Sequence, residues 1–221
     1  MAEYTTQELS EERLKQAAEE FVRQGVDIRS RVHDLTLAAL QSRRFDRDAM
    51  RDVFRAVTAG VATGAEGAPD MRQALADGLK GMDQALARSA EAGASALKQL
   101  ASTGRNFSEN DLKSALVSLK RLEDDFVATI GNVADAAMGP VQPQLRGALG
   151  DLTRAGTETG KQLALAMNEL MFRFANFSLD ASIAGLEAAG EFGARFANLA
   201  SGILSGISDA LQKGPESRKR V

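Results

Sequence analysis

The sequence has no cysteine, no tryptophan, one tyrosine and four prolines among its 221 residues. Without cysteine it can form neither a disulfide framework nor a thiol active site, which fits a reducing cytosol. Strand signals are also missing, because no run of Val, Ile, Thr and Tyr alternates with polar residues. Alanine, the strongest helix former, supplies much of the 44% hydrophobic content. The composition therefore predicts an all-α protein.

A strong charge of one sign and long apolar runs are lacking too. The net charge is −3, so no basic field attracts phosphate backbones, and we expect no nucleic-acid partner. The acidic, polar N-terminal stretch does not resemble a secretory signal. The longest charge-free stretch, 196–208, is shorter than the ~18–20 apolar residues that a membrane span needs, so we expect no transmembrane span. These features predict a cytoplasmic protein that can lie on a lipid surface but cannot cross one.

Residues 1–139 carry apolar residues at helical spacing and predict a bundle of helices. The first helix is expected to begin near Thr5, where Glu8 completes a capping box, and to end at the basic segment 41–45. Its apolar residues follow a heptad seam that another helix has to cover: Leu14, Ala18, Phe21, Gly25, Ile28, Val32, Leu35 and Ala39. Asp46 is expected to cap the second helix.

Glycine and proline separate the next two helices from their neighbours. The loop 63–69 precedes the third helix, and Pro69 is expected in its first turn, where a missing N–H costs nothing. Ser108 is expected to cap the fourth helix. The cluster from Gly139 to Pro143 is expected to end it, which completes an elongated helical bundle.

The C-terminal third of the chain follows an eleven-residue repeat. We predict one long amphipathic helix over 140–213, packed on the bundle or on a partner surface, and a disordered polar tail over 214–221. Eleven residues fill three turns at ~3.67 residues per turn, so equivalent positions form lanes almost parallel to the helix axis. Two apolar lanes keep this step: Leu152, Leu163, Phe174, Gly185, Phe196 and Ile207 form one, and Leu170, Ala181, Phe192 and Ile203 form the other.

The apolar face of this long helix has to be covered, because each large side chain on it contributes ~1.5–3 kcal/mol when it is removed from water. One interpretation packs the face on the first four helices, or on its twin in a homo-oligomer. The other places it on a lipid monolayer, storage granule or membrane interface, where no partner helix has to be matched. The residues expected to make the contact are Leu163, Met167, Leu170, Phe174, Phe192, Phe196, Ile203 and Ile207.

Side chains that could carry catalysis are few. The single histidine, His33, lies beside the seam of the first helix without a nucleophile at a usable spacing, which is typical of a boundary residue. Members of the acidic run 123–125 point in different directions around a helix, which favours a solvated face over a cation site. The sequence has no Glu-x-x-His pair. We predict no enzymatic activity, no cofactor and no metal.

Three stretches of the chain resemble a family of bacterial all-helical proteins of uncharacterised function. They are QALADGLKGMDQALARSAEAGASALKQLASTG at 73–104, NFSENDLKSALVSLKRLEDDF at 106–126 and RAGTETGKQLALAM at 154–167. The cysteine-free, Ala-rich and proline-poor composition also resembles that of phasins, the amphipathic proteins that coat polyester storage granules. The phasin resemblance implies a helical bundle or oligomer in a bacterial cytoplasm, with an apolar surface as its partner and no catalytic residues.

The repeat and the resemblances together predict a non-enzymatic structural protein. In the leading hypothesis it adsorbs reversibly on a storage granule or lipid surface through the long amphipathic helix. In the alternative it is a protein–protein scaffold, and the same apolar face joins copies of the chain into a homo-oligomeric helical bundle.

Overall fold

The computed structural model describes residues 10–42, 47–102 and 109–173, and within these ranges the chain forms helices and turns without a strand. The helices are α1 (Glu11–Gln24), α2 (Ile28–Ser42), α3 (Arg47–Ala65), α4 (Met71–Ser102), α5 (Glu109–Ala136), α6 (Val141–Ala155) and α7 (Glu158–Arg173). The prediction of an all-α protein is confirmed. The expected caps at Asp46 and Ser108, the Thr5–Glu8 capping box and everything from 174 onward lie outside the described residues.

The first predicted helix is two helices in the structure. Ser10 accepts a hydrogen bond from the backbone N–H of Arg13, so α1 begins at Glu11 and not near residue 5. Gly25 ends α1 in the left-handed conformation, with φ +67°, and its N–H donates to the carbonyl of Val22. Glycine adopts this conformation without steric cost, so it ends helices readily at this position. The prediction of one unbroken helix was therefore wrong. α2 is described as far as Ser42, and most of the predicted ending segment 41–45 lies outside the described residues.

Two prolines lie elsewhere than predicted. Pro69 lies in the turn before α4, whose first turn is capped by Asp70 through a 3.0 Å hydrogen bond from the N–H of Gln73. Pro143 does not end α5, which already ends at Ala136, but lies in the first turn of α6. That position suits proline, because the first-turn N–H has no partner within the helix.

The first four helices pack as two close pairs, α1 on α3 and α2 on α4. A Cβ on Gly60 of α3 would overlap the carbonyl oxygen of Lys15, and one on Gly64 would lie 2.5 Å from the carbonyl oxygen of Glu19. Gly81 of α4 similarly faces the backbone of α2 at Arg29. Glycine at these positions therefore lets the backbones of neighbouring helices approach closely.

One hydrophobic core takes residues from all seven helices. Phe54 of α3 and Phe126 of α5 meet at its centre edge to face, with ring centroids 5.2 Å apart. Each of the other helices adds buried apolar side chains, among them Leu14, Val32, Leu79, Leu145 and Leu163. The beginning of the predicted C-terminal segment is thus part of the bundle core.

The long C-terminal helix is interrupted after its first fifteen residues. α6 ends at Ala155, Gly156 has φ +80°, and α7 begins at Glu158. The positive φ of Gly156 lies outside the α-helical region, so the helix is broken at this residue. In this part of the chain the structure differs from the single helix predicted over 140–213, of which residues 174–213 lie outside the described ranges.

Candidate functional site

α7 begins at a buried polar contact with α4. Asp83 of α4 is only 3% exposed. Its carboxylate accepts hydrogen bonds from the backbone N–H groups of Glu158 at 2.6 Å and Thr159 at 3.0 Å. The hydroxyl of Thr159 donates in return to the carbonyl oxygen of Asp83 at 3.0 Å. A carboxylate at a helix N-terminus satisfies free N–H groups and opposes the positive end of the helix dipole. Asp83 therefore caps α7 from a different helix.

A second contact joins the same turn to α5. The hydroxyl of Thr157, which is 2% exposed, donates to the carboxylate of Glu123. The hydroxyl oxygen also accepts a 2.9 Å hydrogen bond from the N–H of Gly160. A Cβ on Gly160 would lie 2.5 to 2.8 Å from the carboxyl group of Glu123, so glycine leaves room for it. We call Asp83, Glu123, Thr157, Thr159 and Gly160 the polar junction.

The polar junction satisfies its own hydrogen bonds. Each of the first three N–H groups of α7 has a side-chain acceptor. In the described ranges no buried side-chain nitrogen or oxygen lacks a partner. Hydrogen bonds are directional, so this arrangement determines both the position and the rotation of α7 on the bundle.

α7 turns one side to the bundle and the other to solvent. Leu163 is 5% exposed within the core, and Met167 is half-buried against it. On the opposite side Leu165 is 64% exposed and Glu169 is exposed as well. Among the residues predicted to contact a surface, the structure thus brings Leu163 and Met167 together on the bundle side of α7. The side chain of Leu170 and the residues Phe174, Phe192, Phe196, Ile203 and Ile207 lie outside what the structure describes.

Residues 4–213 match a family of unknown function, DUF6781. The chain belongs to DUF6781. This match confirms the resemblance to an uncharacterised family and extends it over both the bundle and the repeat. No curated protein and no solved structure matches the chain. The resemblance to phasins stays a prediction.

The acidic run 123–125 has a different role in this DUF6781 chain from the predicted one. Glu123 belongs to the polar junction, and Asp125 is 13% exposed and paired with Arg51 at 2.9 Å. Asp124 alone of the three is exposed. The prediction of a solvated face was wrong for two residues, because the helix turns them toward α7 and α3. No group of three or more potential metal ligands occurs in the described part of the chain.

A polar groove of about 630 Å³ lies between α2, α4 and α7 of the DUF6781 fold and borders the junction at Glu158. His33 lines it, with Nδ1 2.8 Å from a carboxylate oxygen of Asp34. Arg88, also in the lining, donates to Glu91 at 3.0 Å. The lining thus combines acidic and basic residues, of which Arg88 and Glu91 pair with each other. None of the helices in the described ranges has the length and apolar character required to span a membrane.

Of the junction side chains in this DUF6781 chain, only Glu123 stands out in the sequence, as a member of the acidic run 123–125. A signal for Asp83 exists, because it follows Leu79 by four residues and precedes Leu86 by three and so interrupts a core stripe. A buried charge in such a stripe has to be paired. In the GTETG stretch Thr157 lies three residues before Gly160. Threonine is a preferred residue at the start of a helix, so this stretch signals a helix N-terminus. Neither signal identifies the helix with which Asp83 or Thr157 forms its hydrogen bonds.

Proposed function

We propose that the protein is a non-enzymatic, phasin-like structural protein that adsorbs reversibly on a hydrophobic surface, a storage granule or a lipid layer. The contact is made through the helix predicted beyond α7. The supporting observation is the eleven-residue apolar lane, which starts at residues buried in the bundle and continues in the sequence of that segment. Leu163 is buried on the bundle side of α7, and Phe174, Phe196 and Ile207 follow it at steps of eleven or twenty-two residues.

Burial of apolar side chains supplies the attraction in this proposal. Each large residue of the lane contributes about 1.5–3 kcal/mol when a hydrophobic surface removes it from water. The opposite side of the segment carries both acids and bases, among them Glu169, Arg173, Glu191 and Arg195. Such a face has no strong pull toward anionic headgroups, so binding is expected to depend little on salt.

The setting that fits this proposal is the cytoplasm, at the surface of a granule or membrane. Self-association is the alternative use of the same lane, in which a second copy of the chain replaces the surface. The two functions differ in what the chain does without lipid. A surface-binding protein gains helical content and sediments with vesicles, whereas a scaffold forms a stable assembly that ignores them.

Co-sedimentation of the full chain with neutral phosphatidylcholine vesicles or polyester granules tests the proposal. The triple variant Phe174→Asp, Phe196→Asp and Ile207→Asp places three charges in the lane. The matched control Asn176→Asp, Asn198→Asp and Gln212→Asp adds the same charge on the polar side of the predicted helix. We expect the first variant to lose roughly tenfold or more in affinity, because about 1.4 kcal/mol corresponds to a factor of ten. The control is expected to bind like the natural chain.

The result that contradicts the proposal is a natural chain that does not sediment with vesicles or granules and keeps the same circular dichroism when they are added. Light scattering without lipid then decides the alternative. A stable oligomer that the lane variant dissociates supports the scaffold function, and a monomer in both cases excludes both uses of the lane.

A further inference from the structure

If the helix predicted beyond α7 continues α7, the lane required by the proposed function falls on the bundle side of α7. Leu163 and Thr159 are buried on it, and Met167 is half-buried. Phe174 follows Leu163 by eleven residues, which in a continuous helix places it within about 20° of the same direction. A helix that is docked through this side keeps it turned toward α4. It cannot at the same time lay that side flat on a surface.

In the part of α7 whose side chains the structure describes, the contacts with α4 and α5 combine the polar junction with few buried apolar side chains. Of the α7 side chains that the structure describes, Leu163 is the only large apolar one that is buried. Over a similar length α3 buries five: Met50, Val53, Phe54, Val57 and Val61. Hydrogen bonds contribute little net free energy when water can replace both partners. Release of α7 would hydrate the carboxylate of Asp83 and the N–H groups it caps, and a hydrophobic surface would cover Leu163 again.

Release of α7 requires a hinge between α6 and α7, and Gly156 lies at that position. α6 is held on the bundle by Leu145, Ala148 and Leu152, all buried, and by the 2.6 Å ion pair of Asp151 with Arg72. Gly156 follows directly, with its positive φ. Rotation about this glycine moves α7 while α6 keeps its contacts.

We propose that α7 is an autoinhibitory helix, held on α4 and α5 by the polar junction and released when the chain adsorbs on a hydrophobic surface. This inference rests on the proposed function. Docked, α7 hides the beginning of the lane. Released at Gly156, it adds Leu163 and Met167 to the side chains that contact the surface.

A reversible crosslink tests the release directly. The chain has no cysteine, so the pair Glu123→Cys and Gly160→Cys would be its only thiols. A Cβ on Gly160 would lie 2.8 Å from the carboxyl carbon of Glu123, so side chains at the two positions face each other across the junction, and a disulfide between them is the crosslink to be formed. Binding of the full-length double variant to neutral phosphatidylcholine vesicles is measured oxidised and again after reduction, with thiol titration to confirm each state. We expect the oxidised form to bind roughly tenfold more weakly than the reduced form, a typical coupling between two states.

A second variant weakens the junction and needs no crosslink. Asp83→Asn keeps the size of the side chain but removes the charge that caps α7. We expect vesicle binding to strengthen about fivefold or more, within the usual range of such couplings. Amide exchange is expected to accelerate at 158–160 and to stay unchanged in α3. The matched control is Asp77→Asn on the same helix, whose carboxylate accepts a hydrogen bond from Gln73 and lies outside the junction.

The outcomes separate this inference from the proposed function. If the natural chain binds neither vesicles nor polyester granules, both fail. If it binds them and the oxidised and reduced double variants bind equally well, the release of α7 is overturned and surface adsorption stands. Should the crosslink not form, an Asp83→Asn chain with natural vesicle affinity and natural amide exchange overturns the inference by itself.

Discussion

The contact between α1 and α3 and the contact of α7 with α4 and α5 hold helices in two different ways. The first depends on the absence of a Cβ atom at Gly60 and Gly64, which lets the backbone of α1 come close. The second depends on hydrogen bonds that the carboxylates of Asp83 and Glu123 accept from the start of α7. Close packing responds to volume, whereas hydrogen bonding responds to chemical identity and direction. Substitutions of the same size should therefore affect the two contacts differently.

The largest expected effect concerns apolar side chains in the hydrophobic core and on the outer side of α7. Phe126→Ala removes a fully buried ring that packs against Phe54, and we expect the free energy of unfolding to fall by about 3–5 kcal/mol. The matched change Leu165→Ala removes an apolar side chain that is 64% exposed on the outer side of α7. It should change stability by less than about 0.5 kcal/mol. Urea denaturation measures both, and equal losses would mean that the outer side of α7 is also packed.

Two glycine substitutions test the close packing of α1 on α3. Gly60→Ala adds a methyl group that overlaps the backbone of α1, and we expect a loss of about 1–3 kcal/mol from overpacking. Gly131→Ala adds the same methyl group in α5, where nothing lies within 4 Å. Alanine favours the helix there, so stability should rise by about 0.5–1 kcal/mol. Denaturant titration measures the free energy of unfolding of both variants. If both become more stable, the close packing of α1 against Gly60 is contradicted.

A change of shape-matched chemistry tests the polar junction. Thr157→Val keeps the branched shape but removes the hydroxyl that joins Glu123 and the N–H of Gly160. The loss of this cap should lower the free energy of opening at the start of α7 by about 1–2 kcal/mol. Amide exchange at Gly160 measures it. Thr153→Val is the control, since its exposed hydroxyl accepts no backbone N–H and donates to carbonyls of its own helix; similar acceleration in both variants would contradict the role of the junction.

The smallest expected effect lies at the exposed ion pair between α4 and α6. Hydrogen bonds from Arg72 and then from Arg154 hold the pKa of Asp151 below its usual value. Because the pKa is lowered in the folded chain, the stabilisation is present above the unfolded pKa of about 3.9 and is lost as the pH falls through the folded value. Arg72→Gln should raise the pKa of Asp151, which carboxyl NMR titration measures. The control Arg146→Gln, whose guanidinium pairs with Asp135, should leave it unchanged.

The helical class and much of the core could be predicted from the sequence. Leu14, Ala18, Val32 and Ala39 were all placed on a helix seam by their spacing, and all four are buried. This works because apolar periodicity is a local property of one helix. The helix ends were harder, because glycine has several roles. Gly25 and Gly156 end helices with positive φ, whereas Gly60 and Gly131 lie inside them.

The candidate site was the part that spacing could not predict. Asp83 and the N–H of Glu158 are 75 residues apart in the chain, and Glu123 and Thr157 are 34 apart. Read by itself, Glu123 fits a solvated helix face, and the spacing of Asp83 predicts a buried charge without identifying its donors. Only the packing of α4, α5 and α7 brings them together and makes their hydrogen bonds necessary, because a buried carboxylate without donors is strongly unfavourable.

The sequence by itself determined that the chain is helical, where its apolar lanes lie and that no cysteine chemistry is available to it. The tertiary structure decided that α7 starts anew at Gly156, that Asp83 caps it across the bundle and that Leu163 faces the core. The physical reason is the range of the forces involved. Helix propensity and amphipathic spacing act between residues a turn or two apart, whereas hydrogen-bond partners and core neighbours are chosen by the packing of whole helices.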